Sequence, residues 1–159
     1  MTQRTKPAAH ELSITRTIDA PRANVWRCWT EPDLLRQWYC PKPWYVSHVE
    51  QDIRPGGASL VVMNGPNGEE NRWPGQFLEV REGERLVFTD AFEGEWRPSG
   101  KPFMVGFVEL SDLPGGKTQI VWGARHWSEE DKQAHLTMGF EQGWNAAADQ
   151  LNELAKTLS

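Results

Sequence analysis

Leu12, Ile14 and Ile18 stand two or four residues apart among polar neighbours, the period of a half-buried strand. At Asp19-Ala20-Pro21 the period changes. Pro21 suits the first helical position, and Val25, Cys28 and Trp29 follow at helical spacing. Thr30-Glu31-Pro32-Asp33 marks a new N-cap, so a second short helix should carry Leu34, Leu35 and Trp38. Residues 38–45, with two prolines and four aromatics, form a loop. A meander of strands is then predicted over 46–53, 58–63, 72–80, 86–92, 103–110 and 117–126, separated by Gly- or Pro-bearing turns that imply antiparallel neighbours. From Ser128, capped with Asp131 three residues on, Leu136, Phe140, Trp144, Ala147, Leu151, Leu154 and Leu158 recur every three or four residues, which predicts one long amphipathic helix of some 30 residues. Gly139 and Gly143 interrupt it, each at a cost of about 1 kcal/mol relative to Ala. Close approach of the helix to backbone or to an indole face is the first reading of these glycines; room for a ligand is the second.

This order of elements solves a packing problem. A curled antiparallel sheet of about seven strands needs its concave face covered, and a helix of about 45 Å can lie across it. The fold class is therefore α+β, with two short helices after the first strand closing one end. Residues 1–10 are expected to be a flexible leader and 11–158 a single domain. A chain of 159 residues fits that division. Leu, Ile, Val and Phe make up only about a fifth of it, and nine tryptophans supply the missing apolar bulk, so the core should have wide, flat walls whose indole N–H groups need partners. The net charge of −5 and the lack of any basic run argue against nucleic acid. No stretch reaches the length of a membrane span, and the first ten residues lack the apolar block of a secretory signal, so a cytoplasmic location is expected. Cys28 and Cys40 are too far apart for a redox pair and too few for a disulfide framework.

A family resemblance rests on particular residues. Ile18-Asp-Ala-Pro21, Val25-Trp26, Trp29-Thr-Glu-Pro32 and Trp38 resemble the opening of the SRPBCC superfamily, the START and birch-pollen-allergen-like helix-grip proteins. Asp52-Ile-Arg-Pro-Gly-Gly57, Gly75 to Val80 with Glu84-Arg-Leu86, Gly116 with Thr118, and Gly143-Trp144 with Leu151 and Leu154 follow in the order of the branch named after activators of the ninety-kilodalton heat-shock protein's ATPase. The resemblance spans 11–158 and implies a helix-grip fold with a hollow interior. It also implies a chaperone as one candidate partner, although the additional N-terminal domain expected of a full activator is not among these residues. For function it is broad, because ligand carriers, cyclases and resistance proteins share the fold.

Candidate chemistry is sparse. Ile120, Trp122, Ala124 and His126 share one strand face, which would bring His126 to the rim of an interior space as a neutral imidazole; a structural histidine is the commoner case. Glu79, Asp90 and Glu109 extend apolar faces and would be general-acid candidates if they pointed inward, although each lies near a strand end. No Cys/His grouping, Gly-x-Ser-x-Gly turn or phosphate loop occurs, so neither metal nor cofactor is expected. Aromatics remain. The expectation is a non-catalytic binder of a hydrophobic or aromatic small molecule, held between sheet and C-terminal helix by Trp73, Phe77, Phe88, Phe103, Trp122, His126, Phe140 and Trp144. The alternatives are a chaperone-interacting module and a cyclase- or hydrolase-type enzyme using His126. Self-association through exposed indoles such as Trp96 is a further reading.

Overall fold

The computed structural model describes residues 9–158. The elements run β1 (Glu11–Ile18), α1 (Arg22–Thr30), α2 (Pro32–Leu35), β2 (Tyr45–Gln51), β3 (Ala58–Asn64), β4 (Glu70–Arg81), β5 (Arg85–Thr89), β6 (Met104–Leu113), β7 (Lys117–His126), α3 (Glu129–Thr137) and α4 (Phe140–Thr157). All strands join one antiparallel sheet in the order β1-β7-β6-β5-β4-β3-β2. The short turns dictate the meander from β2 to β7, and β1 closes against β7 with Ile14 opposite Trp122. The leader expectation falls mostly on residues outside those described. His10 at its end is held by the sheet, since its carbonyl accepts from His126 N at 2.9 Å.

Alternation explains which side chains point inward. Leu86 and Phe88 on β5, Val108 and Leu110 on β6, and Ile120 and Trp122 on β7 face the helices. This register corrects one expectation. Phe107 and Glu109, one residue out of step with Val108 and Leu110, lie on the outer face, where Arg125 covers the Phe107 ring at 4.4 Å. In β4 a register shift between Phe77 and Glu79 has the same effect. Phe77 stands opposite the inward Phe88, while Glu79 stands opposite Val87 and so faces outward. Arg85 bridges Glu79 at 3.4 Å and Glu109 at 3.0 Å on that outer surface, so neither acid reaches the interior.

The helices also differ from the sequence pattern. Ser128 caps α3 by accepting from Asp131 N at 3.1 Å, as the spacing predicts. The single long helix does not form: it divides at Met138-Gly139, where Gly139 takes φ +93°, into segments of 9 and 18 residues. A left-handed residue ends the first hydrogen-bond ladder and turns the chain. The second segment, α4, lies against α1 and β1 and buries Ala147, Ala148, Leu151 and Ala155. Its small side chains allow close packing over the sheet. The second short helix stops at Leu35, so Trp38 lies in the turn beyond it; Thr30 bonds back to Trp26 O rather than capping. Trp38 is buried, donates to Cys28 O at 2.9 Å and meets Trp29 edge to face with centroids 4.7 Å apart. Both free cysteines are buried. Among the described residues no helix is long and apolar enough to cross a membrane.

Candidate ligand-binding site

Between the inner sheet face, the loop after α2 and the two C-terminal helices lies a cavity of about 310 Å³. One wall is aromatic. Trp122 stacks on Trp144 with centroids 4.3 Å apart, and Trp144 continues to Phe140 at 4.4 Å. Behind them Trp29 and Trp38 meet Trp122 edge to face at 5.1 and 5.7 Å, so the filled core and the cavity wall are one continuous array. The opposite wall is sheet, contributed by Val61, Met63, Trp73 and Phe88. The Phe88 ring packs over position 106 only because that residue is glycine: a Cβ there would stand 2.3 Å from the ring. Met138 and Trp73 line the cavity and are 67% and 43% exposed, which places the mouth between the α3–α4 break and Trp73 of β4.

The third wall is the aromatic loop, held by one side chain. Gln150 of α4 donates to Trp38 O at 2.9 Å and Cys40 O at 2.8 Å and accepts from Lys42 N at 3.1 Å. That staple sets Tyr39, Cys40 and Pro41 opposite Gly143. A Cβ on Gly143 would meet nothing nearer than Pro41 Cγ at 4.0 Å, and one on Gly139 nothing nearer than Gln142 Oε1 at 4.0 Å. Close packing therefore does not account for these glycines; Gly143 borders open space.

Six of the eight residues singled out from sequence surround this cavity: Trp73, Phe88, Phe103, Trp122, Phe140 and Trp144. Phe77 does not: it faces inward opposite Phe88 but lines a smaller adjoining void of about 50 Å³, shared with Trp29, Gln51 and Leu86. His126 does point inward but stops short of the cavity, since Phe103 and His135 cover it with ring centroids at 4.7 and 5.0 Å. His126 Nδ1 meets Phe103 O at 2.9 Å, and its Nε2 meets His135 Nδ1 at 2.9 Å. The cavity thus sees His135, which the sequence reading missed. One signal was present: His135, Gly139 and Gly143 stand four apart, a single face of the helix pattern. Tyr39, Cys40, Val61, Met63 and Met138 were also missed: Tyr39, Cys40 and Met138 lie in connections that carry no period, and alternation puts Val61 and Met63 on one face of β3 without marking that face as the cavity wall.

Burial governs the titratable groups of the site. Burial, with a smaller contribution from His126, lowers the His135 pKa from 6.5 to about 4. Burial raises the Tyr39 phenol to about 12 and the Cys40 thiol to about 11. Asp90 borders the cavity, but its Oδ1 accepts from Phe103 N at 2.8 Å and Met104 N at 3.1 Å, which employs it in holding the chain before β6. The three general-acid candidates, Glu79, Asp90 and Glu109, are thus engaged by Arg85 or by backbone N–H groups. Two buried indole donors, Trp29 Nε1 and Trp122 Nε1, have no hydrogen-bond partner among the described residues. Among the described residues no group of three or more His, Cys, Asp or Glu could hold a metal.

A curved antiparallel sheet covered by a C-terminal helix, with an aromatic hollow between them, defines a helix-grip protein of the SRPBCC class. The family model described as Activator of Hsp90 ATPase homolog 1-like protein matches residues 19–156, and the chain belongs to that family. A crystal structure of a Nitrosomonas europaea protein is 37% identical over 94% of this chain and 97% of its own, with a TM-score of 0.90. A Mycobacterium smegmatis protein is 25% identical, covering 94% and 92% of the two chains, with a TM-score of 0.78. An Arthrobacter aurescens protein is 26% identical, covering 95% and 88%, with a TM-score of 0.81. No curated protein matches the chain.

Proposed function

We propose that this protein binds a hydrophobic or aromatic small molecule in the cavity between sheet and α4 and does not transform it. The carrying observation is the cavity of about 310 Å³ whose walls are indole, phenyl and aliphatic side chains. Pockets for small organic ligands have this size and character. A cavity of about 150 Å³ lined by Leu, Ile and Phe stays dry and accepts benzene, so this one matches a ligand of about two rings. Gly143 supports the same reading: a helix residue costing about 1 kcal/mol beside open space is explained by what that space must admit. The His126 enzyme alternative loses its acid partner, because Glu79 and Glu109 face outward and Asp90 serves the backbone.

Intrinsic tryptophan fluorescence titrated with a panel of lipids, polyketides and flavonoids, together with native mass spectrometry of the purified protein, tests the reading. Saturable quenching is expected in the wild type and strongly weakened quenching in Gly143→Leu, whose added side chain would fill the cavity, at unchanged circular dichroism. No quenching and no retained ligand across the panel, or equal quenching in Gly143→Leu, would contradict it. The family's description as activator-like supports a chaperone-contacting module as a second reading. A pull-down that recovers no chaperone, with no stimulation of its ATPase, would remove that one.

A further inference from the structure

The two histidines behind the cavity form a directional relay. A carbonyl can only accept, so the 2.9 Å contact with Phe103 O requires the proton of His126 on Nδ1. In a neutral imidazole Nε2 is then a lone pair, and the 2.9 Å contact with His135 Nδ1 requires that His135 donate. The proton of His135 is thereby committed to Nδ1, and its Nε2 is left as an acceptor. The His135 ring lines the cavity, and Nε2 has no hydrogen-bond partner among the described residues. Around the pair stand uncharged rings, with Phe103 5.2 Å, Phe140 5.0 Å and Trp144 5.5 Å from the His135 centroid. Burial in that setting keeps His135 neutral, with its pKa down at about 4.

We propose that the Phe103–His126–His135 relay presents His135 Nε2 as a fixed hydrogen-bond acceptor in the cavity wall and selects ligands that carry a hydroxyl or N–H donor, a hydroxylated aromatic of about two rings. This rests on the small-molecule reading above and adds its chemical class. The relay makes the acceptor permanent rather than adaptable. A free neutral histidine could switch tautomer to suit either an acceptor or a donor ligand, whereas His135 can do so only by breaking its bond to His126. Binding a ligand without a donor would leave Nε2 buried and unpaired, which is where discrimination arises. His126 is in this sense a positioning residue, and its inward direction from β7 has a purpose without contact with the ligand.

Calorimetric titration at pH 7.5 with 2-naphthol, 2-methoxynaphthalene and naphthalene tests the proposal. The hydrophobic effect alone would favour the ether and the hydrocarbon over the naphthol. The relay reverses that order, with 2-naphthol bound about 3- to 10-fold more tightly than its methyl ether. In His135→Phe, which keeps a ring in the wall, the preference should vanish while naphthalene binding persists. Long-range proton–nitrogen NMR of the wild type adds a readout independent of any ligand, in which both rings should show the Nδ1–H tautomer at pH 7.5. Binding of all three probes without a naphthol preference, a preference that survives in His135→Phe, or an Nε2–H tautomer on either ring would each overturn the relay and leave the cavity reading standing. Binding of none of the three would overturn both.

Discussion

His135 shows how a residue's position can be opposed by two fields. It stands in the last turn of α3, where the helix dipole favours a cation, yet its ring is pressed among Phe103, Phe140 and Trp144, where a charge loses its hydration. Burial wins, and the pKa falls from 6.5 to about 4. The folded state therefore resists a proton that the unfolded chain accepts. That stability is fully present above pH 6.5 and is lost as the pH falls toward 4; the full shift corresponds to about 3 kcal/mol. The window lies largely above the one in which the paired carboxylates Asp19, Glu95 and Glu129 act, since their values are lowered from 3.8 or 4.5. Urea unfolding at pH 7.5 and pH 4.5 should show the decline in the wild type and a markedly shallower one in His135→Phe. Equal slopes for the two proteins would refute the account of His135. Its place at the cavity was only faintly visible in sequence, because the polar His135 interrupts no apolar stripe; Trp122, Phe140 and Trp144 were visible because alternation and helical period both mark them.

At the scale of elements, strand existence and order follow from period and turn residues, and β7 falls on the expected residues 117–126. What the pattern could not supply was register. The single extra residue in β4 reverses which side chains face inward, and no periodicity announces it, so Glu79 seemed an interior candidate. The C-terminal helix was misjudged for a related reason. Apolar positions keep their spacing through Gly139, while the break depends on one backbone angle. Its two glycines therefore predict opposite outcomes. Gly143→Ala, in regular helix with its new Cβ no nearer than 4.0 Å to a neighbour, should gain roughly 0.5–1 kcal/mol and raise the melting temperature by a few degrees. Gly139→Ala, at φ +93°, should lose about 1 kcal/mol or more. Thermal melts of both variants check the pair, and a loss in Gly143→Ala would mean that the helix face there is closed after all.

Over the whole molecule, four of the nine tryptophans divide between two jobs. Trp29 and Trp38 fill one end of the space between sheet and α4, with Trp38 spending its N–H on Cys28 O; Trp122 and Trp144 stack to wall the other end, which stays open. An aliphatic core of the same size would collapse more readily, whereas flat rings locked edge to face can border a void. The sheet and helix thus hold a cavity, and the proposed function gives it an occupant. Nine indole N–H signals make that claim directly measurable by two-dimensional NMR on the labelled protein during a titration with naphthalene. The account predicts that the Trp122 and Trp144 signals move together and saturate, while those of Trp96 and Trp127, half exposed and outside the cavity wall, stay in place. Signals that all stand still, or movement confined to Trp96 and Trp127, would contradict it.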